Sequence, residues 1–104
     1  MSRTIGNTIS TGITLSPSDN PVSITATGRI TAASGDAVYG YTTGSVPWTV
    51  SNSGTIIDHD STSNAIHLKS TNYSLNNTFT NQSGGLITPT HNGVVLNGVG
   101  VIIN

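Results

Sequence analysis

One stretch of this chain says nearly the same thing twice. Val50-Ser51-Asn52-Ser53-Gly54-Thr55-Ile56 returns as Phe79-Thr80-Asn81-Gln82-Ser83-Gly84-Gly85-Leu86-Ile87, lengthened at its turn. A fainter copy lies upstream as Ile24-Thr25-Ala26-Thr27-Gly28-Arg29-Ile30. Val101-Ile102-Ile103-Asn104 reads as a further copy that stops after its first strand. A second landmark follows each copy, at Asp36-Ala37-Val38-Tyr39, Asn64-Ala65-Ile66-His67-Leu68 and Asn92-Gly93-Val94-Val95-Leu96. The spacing is about 28 residues, within the range of solenoid repeats. A unit this short cannot bury its own apolar face, so it must stack on its neighbours.

Composition favours strands for those units. Thr, Ser, Asn and Gly supply about half of the chain, there is no Glu, and Lys69 is the only Lys. Helix formers are therefore scarce, whereas Thr, Val and Ile favour extended backbone and Asn, Gly and Ser favour turns. With 34% apolar residues and only 7% charged ones, the chain lacks the composition of a disordered segment. A net charge of −1 gives no basic footprint for nucleic acid; Arg3, Arg29 and Lys69 are dispersed. No cysteine is available for disulfides. No apolar run approaches the roughly 20 residues that span a bilayer, so no membrane insertion is expected.

Each unit reads as strand, Asn/Ser/Gly turn, short strand at Ile, polar loop, and strand at the Val/Ile cluster. Three strands per turn predict an all-β, parallel β-helix of roughly three to four coils. Consecutive coils would lie about 4.8 Å apart. Three inward columns are expected: Ile24, Val50, Phe79 and Ile102 or Ile103; Ile30, Ile56 and Ile87; Val38, Ile66 and Val94. Gly28, Gly54 and Gly84 or Gly85 would turn a corner with positive φ. Asn52 and Asn81 either stack their amides as a ladder there or serve as ordinary turn asparagines. Residues 1–21 do not match the repeat and are expected to form an N-terminal cap and entry strand, with 22–104 making the coils. Val46-Pro47-Trp48 reads as an irregular insert, and Pro47 and Pro89 belong in loops.

These motifs resemble the passenger repeats of autotransporter adhesins, the type V secreted surface proteins of Gram-negative bacteria. Thr8-Ile9-Ser10-Thr11-Gly12-Ile13-Thr14-Leu15 and Pro21-Val22-Ser23-Ile24-Thr25-Ala26-Thr27-Gly28 are similar to the start of a mature passenger. The resemblance implies a right-handed β-helix, secreted and displayed at the cell surface through an outer-membrane barrel. It implies a structural role in adhesion or self-association, with host or bacterial surface receptors as partners. No apolar signal segment follows Met1, and the last copy stops mid-coil; the expectation is an N-terminal fragment of a longer passenger. Its bared end, with Val99, Val101, Ile102 and Ile103, is expected to form end-to-end dimers or filaments unless a fused partner covers it.

Candidate chemistry is sparse. Asp58-His59-Asp60 holds three possible metal ligands, with His67 or His91 as additions. Adjacent residues on extended chain alternate faces, which favours a polar loop instead. Asp19, Asp36, Asp58 and Asp60 are the only carboxylate side chains and form no spaced glycosidase pair. Neither catalytic, cofactor-binding nor metal residues are assigned, and no enzyme activity is expected. Trp48 with Tyr39 and Tyr41 suggests a sugar platform, although a lid over a coil edge is the favoured role for Trp48. Asn72-Tyr73-Ser74, Asn76-Asn77-Thr78 and Asn81-Gln82-Ser83 match the glycosylation sequon, as chance readily provides in such a chain. Two alternatives to a surface stalk are an ice-binding solenoid, raised by outward Thr, and a carbohydrate-active β-helix fragment, raised by the architecture. The former needs a regular array that Thr25-Ala26-Thr27, Ser51-Asn52-Ser53 and Thr80-Asn81-Gln82 break.

Overall fold

The structure is a computed structural model and describes residues 2–43, 46–71 and 76–104. Strands β1 (Arg3–Ile5), β2 (Thr8–Ile9) and β3 (Ile13–Leu15) wind one coil. A 3-10 turn at Pro17–Asp19 leads into β4 (Val22–Ile24), β5 (Arg29–Ala32) and β6 (Val38–Thr42). The third coil is β7 (Thr49–Asn52), β8 (Thr55–Asp58) and β9 (Asn64–Ser70); the fourth is β10 (Asn76–Asn81), β11 (Leu86–Thr88) and β12 (Asn92–Asn97). Strand β13 (Val99–Ile103) opens a fifth. Each strand pairs in parallel with its counterpart one coil away, giving sheets β1-β4-β7-β10-β13, β2-β5-β8-β11 and β3-β6-β9-β12. The repeat therefore builds a three-sided parallel β-helix.

The first 21 residues differ from expectation. Instead of a cap and one strand, they contain a complete coil, in which Arg3 pairs with Val22, Thr8 with Arg29 and Ile13 with Val38. The motif is hidden because Asn7 stands in this coil where the later coils carry the corner glycines Gly28, Gly54 and Gly85. Its alternation of Ile with Thr carried the signal: Ile5, Ile9 and Ile13 stand one rung from Ile24, Ile30 and Val38.

Two of the expected columns are present, Ile9-Ile30-Ile56-Ile87 and Ile13-Val38-Ile66-Val94. The remaining one is corrected. Val22, not Ile24, shares a column with Val50, Phe79 and Ile102. Ile24 lies over Asn52, which lies over Asn81. Turn length explains the slip. Three residues separate Ile24 from Gly28 and Asn81 from Gly85, but only Ser53 separates Asn52 from Gly54. Matching the copies at glycine displaces Ile24 by two positions. A shift of two preserves the inward face, so the pattern looked correct in the wrong register.

A further column, Leu15-Gly40-Leu68-Leu96, has a gap at Gly40. Trp48 fills it. A Cβ built on Gly40 would stand 3.0 Å from Trp48 Cε2, and Trp48 is 1% exposed. The indole enters from the loop between coils and packs in the core, so it is neither a lid nor part of a sugar platform. Ala32, Ala37 and Ala65 are fully buried, and Phe79 is the largest side chain of the sheet-bearing core. Burying each Val, Leu, Ile or Phe contributes about 1.5–3 kcal/mol, and this row-upon-row burial replaces the disulfides that the chain lacks.

Corner glycines act through space rather than through φ. Of the three corners expected to have positive φ, only the last does, at Gly84 with φ 86°. Gly28, Gly54 and Gly85 stack in a column along one edge, where Thr55 N–H donates to Gly28 O at 3.0 Å and Leu86 N–H donates to Gly54 O at 2.9 Å. A Cβ on Gly54 would lie 2.3 Å from Gly28 O and 2.4 Å from Thr25 O. Backbone occupies the place of a side chain. Gly54→Ala should therefore cost about 3 kcal/mol or more, because the coils must part to admit a methyl group. Gly93→Ala meets only Pro89 Cγ at 3.8 Å and should stay within about 0.5 kcal/mol of the parent. Urea unfolding of the two variants checks the contrast.

Candidate functional site

The corner next to the glycine column holds the polar feature deepest in the fold. Asn52 is fully buried. Its Oδ1 accepts from Gly54 N–H at 3.1 Å, and its Nδ2 donates to Asn81 Oδ1 at 3.0 Å and to Gly54 O at 3.3 Å. Asn81 repeats the arrangement: Nδ2 donates to Gly85 O at 3.0 Å and to Asn104 Oδ1 at 3.1 Å. The open choice between ladder and ordinary turn is thus resolved as a ladder, with each amide also satisfying its own turn. The sequon asparagine Asn81 is partly buried, with its amide engaged in the ladder. Asn77, in the Asn76-Asn77-Thr78 match, is buried with Oδ1 accepting from Trp48 N–H at 2.9 Å, while Asn76 is exposed. The match at Asn72-Tyr73-Ser74 lies outside the described residues.

Asn64 and Asn92 form a second, surface ladder. Asn64 N–H donates to Asp36 Oδ1 at 2.7 Å, and Asn92 Nδ2 donates to Asn64 Oδ1 at 2.9 Å. On the outer face of β6, β9 and β12, His67 spans three coils. Its Nδ1 is 3.1 Å from Asp36 Oδ2, its Nε2 meets Asn97 Oδ1, and the Tyr39 ring stands edge-on at 5.3 Å. His67 lies beside Val95 of the next coil. One rung along, Lys69 Nζ sits 5.7 Å from the Tyr41 ring centroid. These contacts tie coil to coil.

Asp58, His59 and Asp60 are separated by the fold. Asp58 closes β8 and is buried, a correction to its expected place in a polar loop. It stacks on Ala32, and its Oδ1 accepts from Asp60 N–H at 3.0 Å. His59 is exposed. Asp60 turns to the loops, where its carboxylate accepts from Gly35 N–H at 2.7 Å, Thr62 N–H at 2.8 Å, Thr62 Oγ1 at 2.7 Å and Ser63 Oγ at 3.1 Å. The Gly35 N–H, then Thr62 and Ser63, hold this carboxyl well below the usual carboxylate range. Among the described residues no group of three His or Asp side chains is placed to hold a metal ion.

The register decides which hydroxyls share the outward face of the five-stranded sheet. Thr4, Ser23, Ser51 and Thr80 form one column and Thr49 and Thr78 another, ending on Ile103 and Val101. Thr25 and Thr27 lie in the turn instead, where their hydroxyls donate to Ile5 O and Gly6 O. Outward hydroxyls thus alternate regularly but over few coils before apolar residues replace them.

The two ends of the stack are unlike. At the first coil Ile5, Ile13 and Leu15 are buried. Arg3 occupies the first rung of the Val22-Val50-Phe79 column and turns its guanidinium to Asp19, 3.6 Å away. The last coil is open, with Leu86 at 55% and Ile102 at 53% exposure. Phe79, Ile87, Pro89, Val94 and Ile102 line a cavity of about 580 Å³ there, with Asn81 and Asn104 at its polar corner. Sequence reasoning found this end through the broken copy, but the closure of the other end was visible only once Arg3 had a register. Among the described residues no helix is long and apolar enough to cross a membrane. No family model matches the chain, and neither do any curated protein or solved structure.

Two measurements follow from these placements. Acrylamide should quench Trp48 fluorescence weakly in the folded chain and strongly in urea, whereas a surface platform would be quenched in both. Asp60 supplies the acid dependence. Its folded-state pKa lies below the unfolded value of about 3.9, so its contribution is complete above that pH and is lost as pH falls toward the folded value. Melting temperature should decline below about pH 4. In Asp60→Asn it should start lower at neutral pH and decline less steeply in acid.

Proposed function

We propose that this chain is a structural segment of a surface-displayed passenger of the autotransporter adhesin class. In this reading it is secreted, stands outside the outer membrane, and carries no cofactor or catalytic centre. Its work is mechanical: it holds a stiff rod away from the cell and supports adhesion or self-association. The observation behind this reading is the unbroken stacking of four coils in one register, with apolar columns and an amide ladder running along the axis. Such a rod needs no partner domain to stay extended, because every coil is held by hydrogen bonds to the next. The passenger-like motifs at Thr8–Leu15 and Pro21–Gly28 supply the link to secretion and the cell surface. The partners are other surfaces, bacterial or host, met by outward side chains of the coils.

Display on a bacterial surface tests the proposal. Cells carrying the chain should settle or adhere faster than cells displaying an unrelated chain of equal length. Equal rates, with the chain demonstrably folded and exposed, would contradict it.

A further inference from the structure

We infer that the outward face of β6, β9 and β12 is a binding site for acidic saccharides, sugars that carry a carboxylate. This rests on the surface-adhesion reading and names its partner class. The face is lateral, set on coils two to four, and owes nothing to either end of the stack.

Outward residues of these strands make two rows across the coils. One row is Tyr39-His67-Val95 and the other Tyr41-Lys69-Asn97. Neighbours within a row stand about 4.8 Å apart, and the rows lie about 6.6 Å apart, two residues along a strand. Trp48 and Phe79 are buried in the core. Tyr39 and Tyr41 are therefore the only Tyr, Trp or Phe rings that reach the surface among the described residues. The chain's only Lys stands on the same face. Neither of the other two sides combines these groups: the five-stranded sheet presents mainly Ser and Thr, and β5, β8 and β11 present the row Arg29-Thr55-Leu86.

The two rows have different parts. The Tyr39 row is half-buried and fixed. His67 is held there by Asp36 Oδ2 at 3.1 Å, by Asn97 Oδ1 and by the edge of the Tyr39 ring. The Tyr41 row is exposed along its length. Lys69 forms no ion pair among the described residues; its Nζ rests 5.7 Å from the Tyr41 ring centroid. Asp36, the carboxylate on this side, is committed to His67 and to Asn64 N–H. The charge of Lys69 is thus uncompensated. Asn97 turns Oδ1 to His67, which leaves its Nδ2 as a donor.

That set selects a ligand. Lys69 Nζ and Asn97 Nδ2 donate and cannot accept. Their complement is negative and rich in acceptors: a carboxylate flanked by hydroxyls. The Tyr41 ring adds a flat apolar surface with a hydroxyl at its rim, which suits the C–H face of a pyranose. An acidic peptide fits less well. β6 and β9 are already paired on both sides, so a peptide cannot add to them as a strand and gains no main-chain hydrogen bonds. Because contacts between coils hold His67 and Tyr39 before any ligand arrives, little ordering accompanies binding. The contact is small, so one site is weak, and display of many copies on a cell supplies avidity.

Titration of the isotope-labelled chain by nuclear magnetic resonance tests this with trigalacturonate, sialyllactose, lactose and a hexaglutamate peptide. Saturable shifts centred on Tyr41, Lys69 and Asn97 are expected with at least one of the two acidic sugars, with a Kd on the order of 1 mM that weakens with salt. The tighter of the two tells a uronate source from a sialate one. Lactose and hexaglutamate should bind about fivefold more weakly or worse. Lys69→Met should weaken binding of the acidic sugar about tenfold, whereas Lys69→Arg should retain most of it. Tyr41→Ala should weaken it about three- to tenfold. Ser51→Ala, on another side of the coil, should leave it unchanged. No saturable shift with either acidic sugar up to about 10 mM would overturn the inference. So would equal binding of lactose or hexaglutamate, or full binding by Lys69→Met. Cells displaying Lys69→Met that adhere like the parent would overturn this face as the basis of adhesion and leave the adhesive role standing. A chain that binds the acidic sugar yet confers no adhesion would keep the site and remove that role.

Discussion

Everything in this fold depends on the parallel hydrogen bonds that join each strand to its counterpart one coil away. They hold successive coils at about the spacing of paired strands, so any residue has its own equivalents directly above and below. Like must then stack on like. Aliphatic rungs form continuous columns, and an inward amide must find its partners in the turn or coil beside it, as Asn77 does at the Trp48 backbone. Asn52 and Asn81 meet this condition, while Ile24 and Ile5 occupy the same position in the earlier coils. The column thus changes character once, from aliphatic to amide, and the change falls between coils two and three. There the buried Asn52 carbonyl is satisfied within its own turn by Gly54, so Ile24 beneath it owes it nothing.

The same spacing explains why glycine is required at the corner and why tryptophan is tolerated in the core. Gly28, Gly54 and Gly85 leave room for carbonyls of the adjacent coil, which stand where a Cβ would be. Gly40 leaves a hole in a leucine column, and Trp48 fills it from a loop. One absence brings backbone into contact with backbone; the other exchanges a side chain within the sheet for one from outside it. Loops outside the sheets follow a different logic. Asp60, Asp36 and Asp19 each accept backbone N–H groups that no ladder satisfies, and Asp60 joins the loop at Gly35 to the one at Thr62 and Ser63.

Much of the architecture was legible in the sequence because solenoid repeats are periodic in the residues that face inward. Ile30-Ile56-Ile87 and Val38-Ile66-Val94 could be aligned without coordinates, as could the Asp36-Asn64-Asn92 landmark. Register in the five-stranded sheet was not legible, since turns of one and three residues both end on glycine, and a shift of two residues leaves the inward pattern intact. The first coil was missed because it lacks the corner motif. Trp48 was placed outside the core because its partner is an absence, the missing side chain of Gly40. At the ends of the stack, the exposed apolar edge was readable from Val99 to Ile103, but the meaning of Arg3 depended on a register that composition and spacing do not contain.

The register of the five-stranded sheet is the central claim, since the amide ladder, the glycine column and the unlike ends all derive from it. Nuclear Overhauser contacts in the isotope-labelled chain test it most directly. The account predicts cross-strand backbone contacts of Val50 with Val22 and Phe79, together with contacts between the side-chain amides of Asn52 and Asn81, 29 residues apart. Contacts placing Val50 opposite Ile24, with the Asn52 amide remote from Asn81, would contradict it.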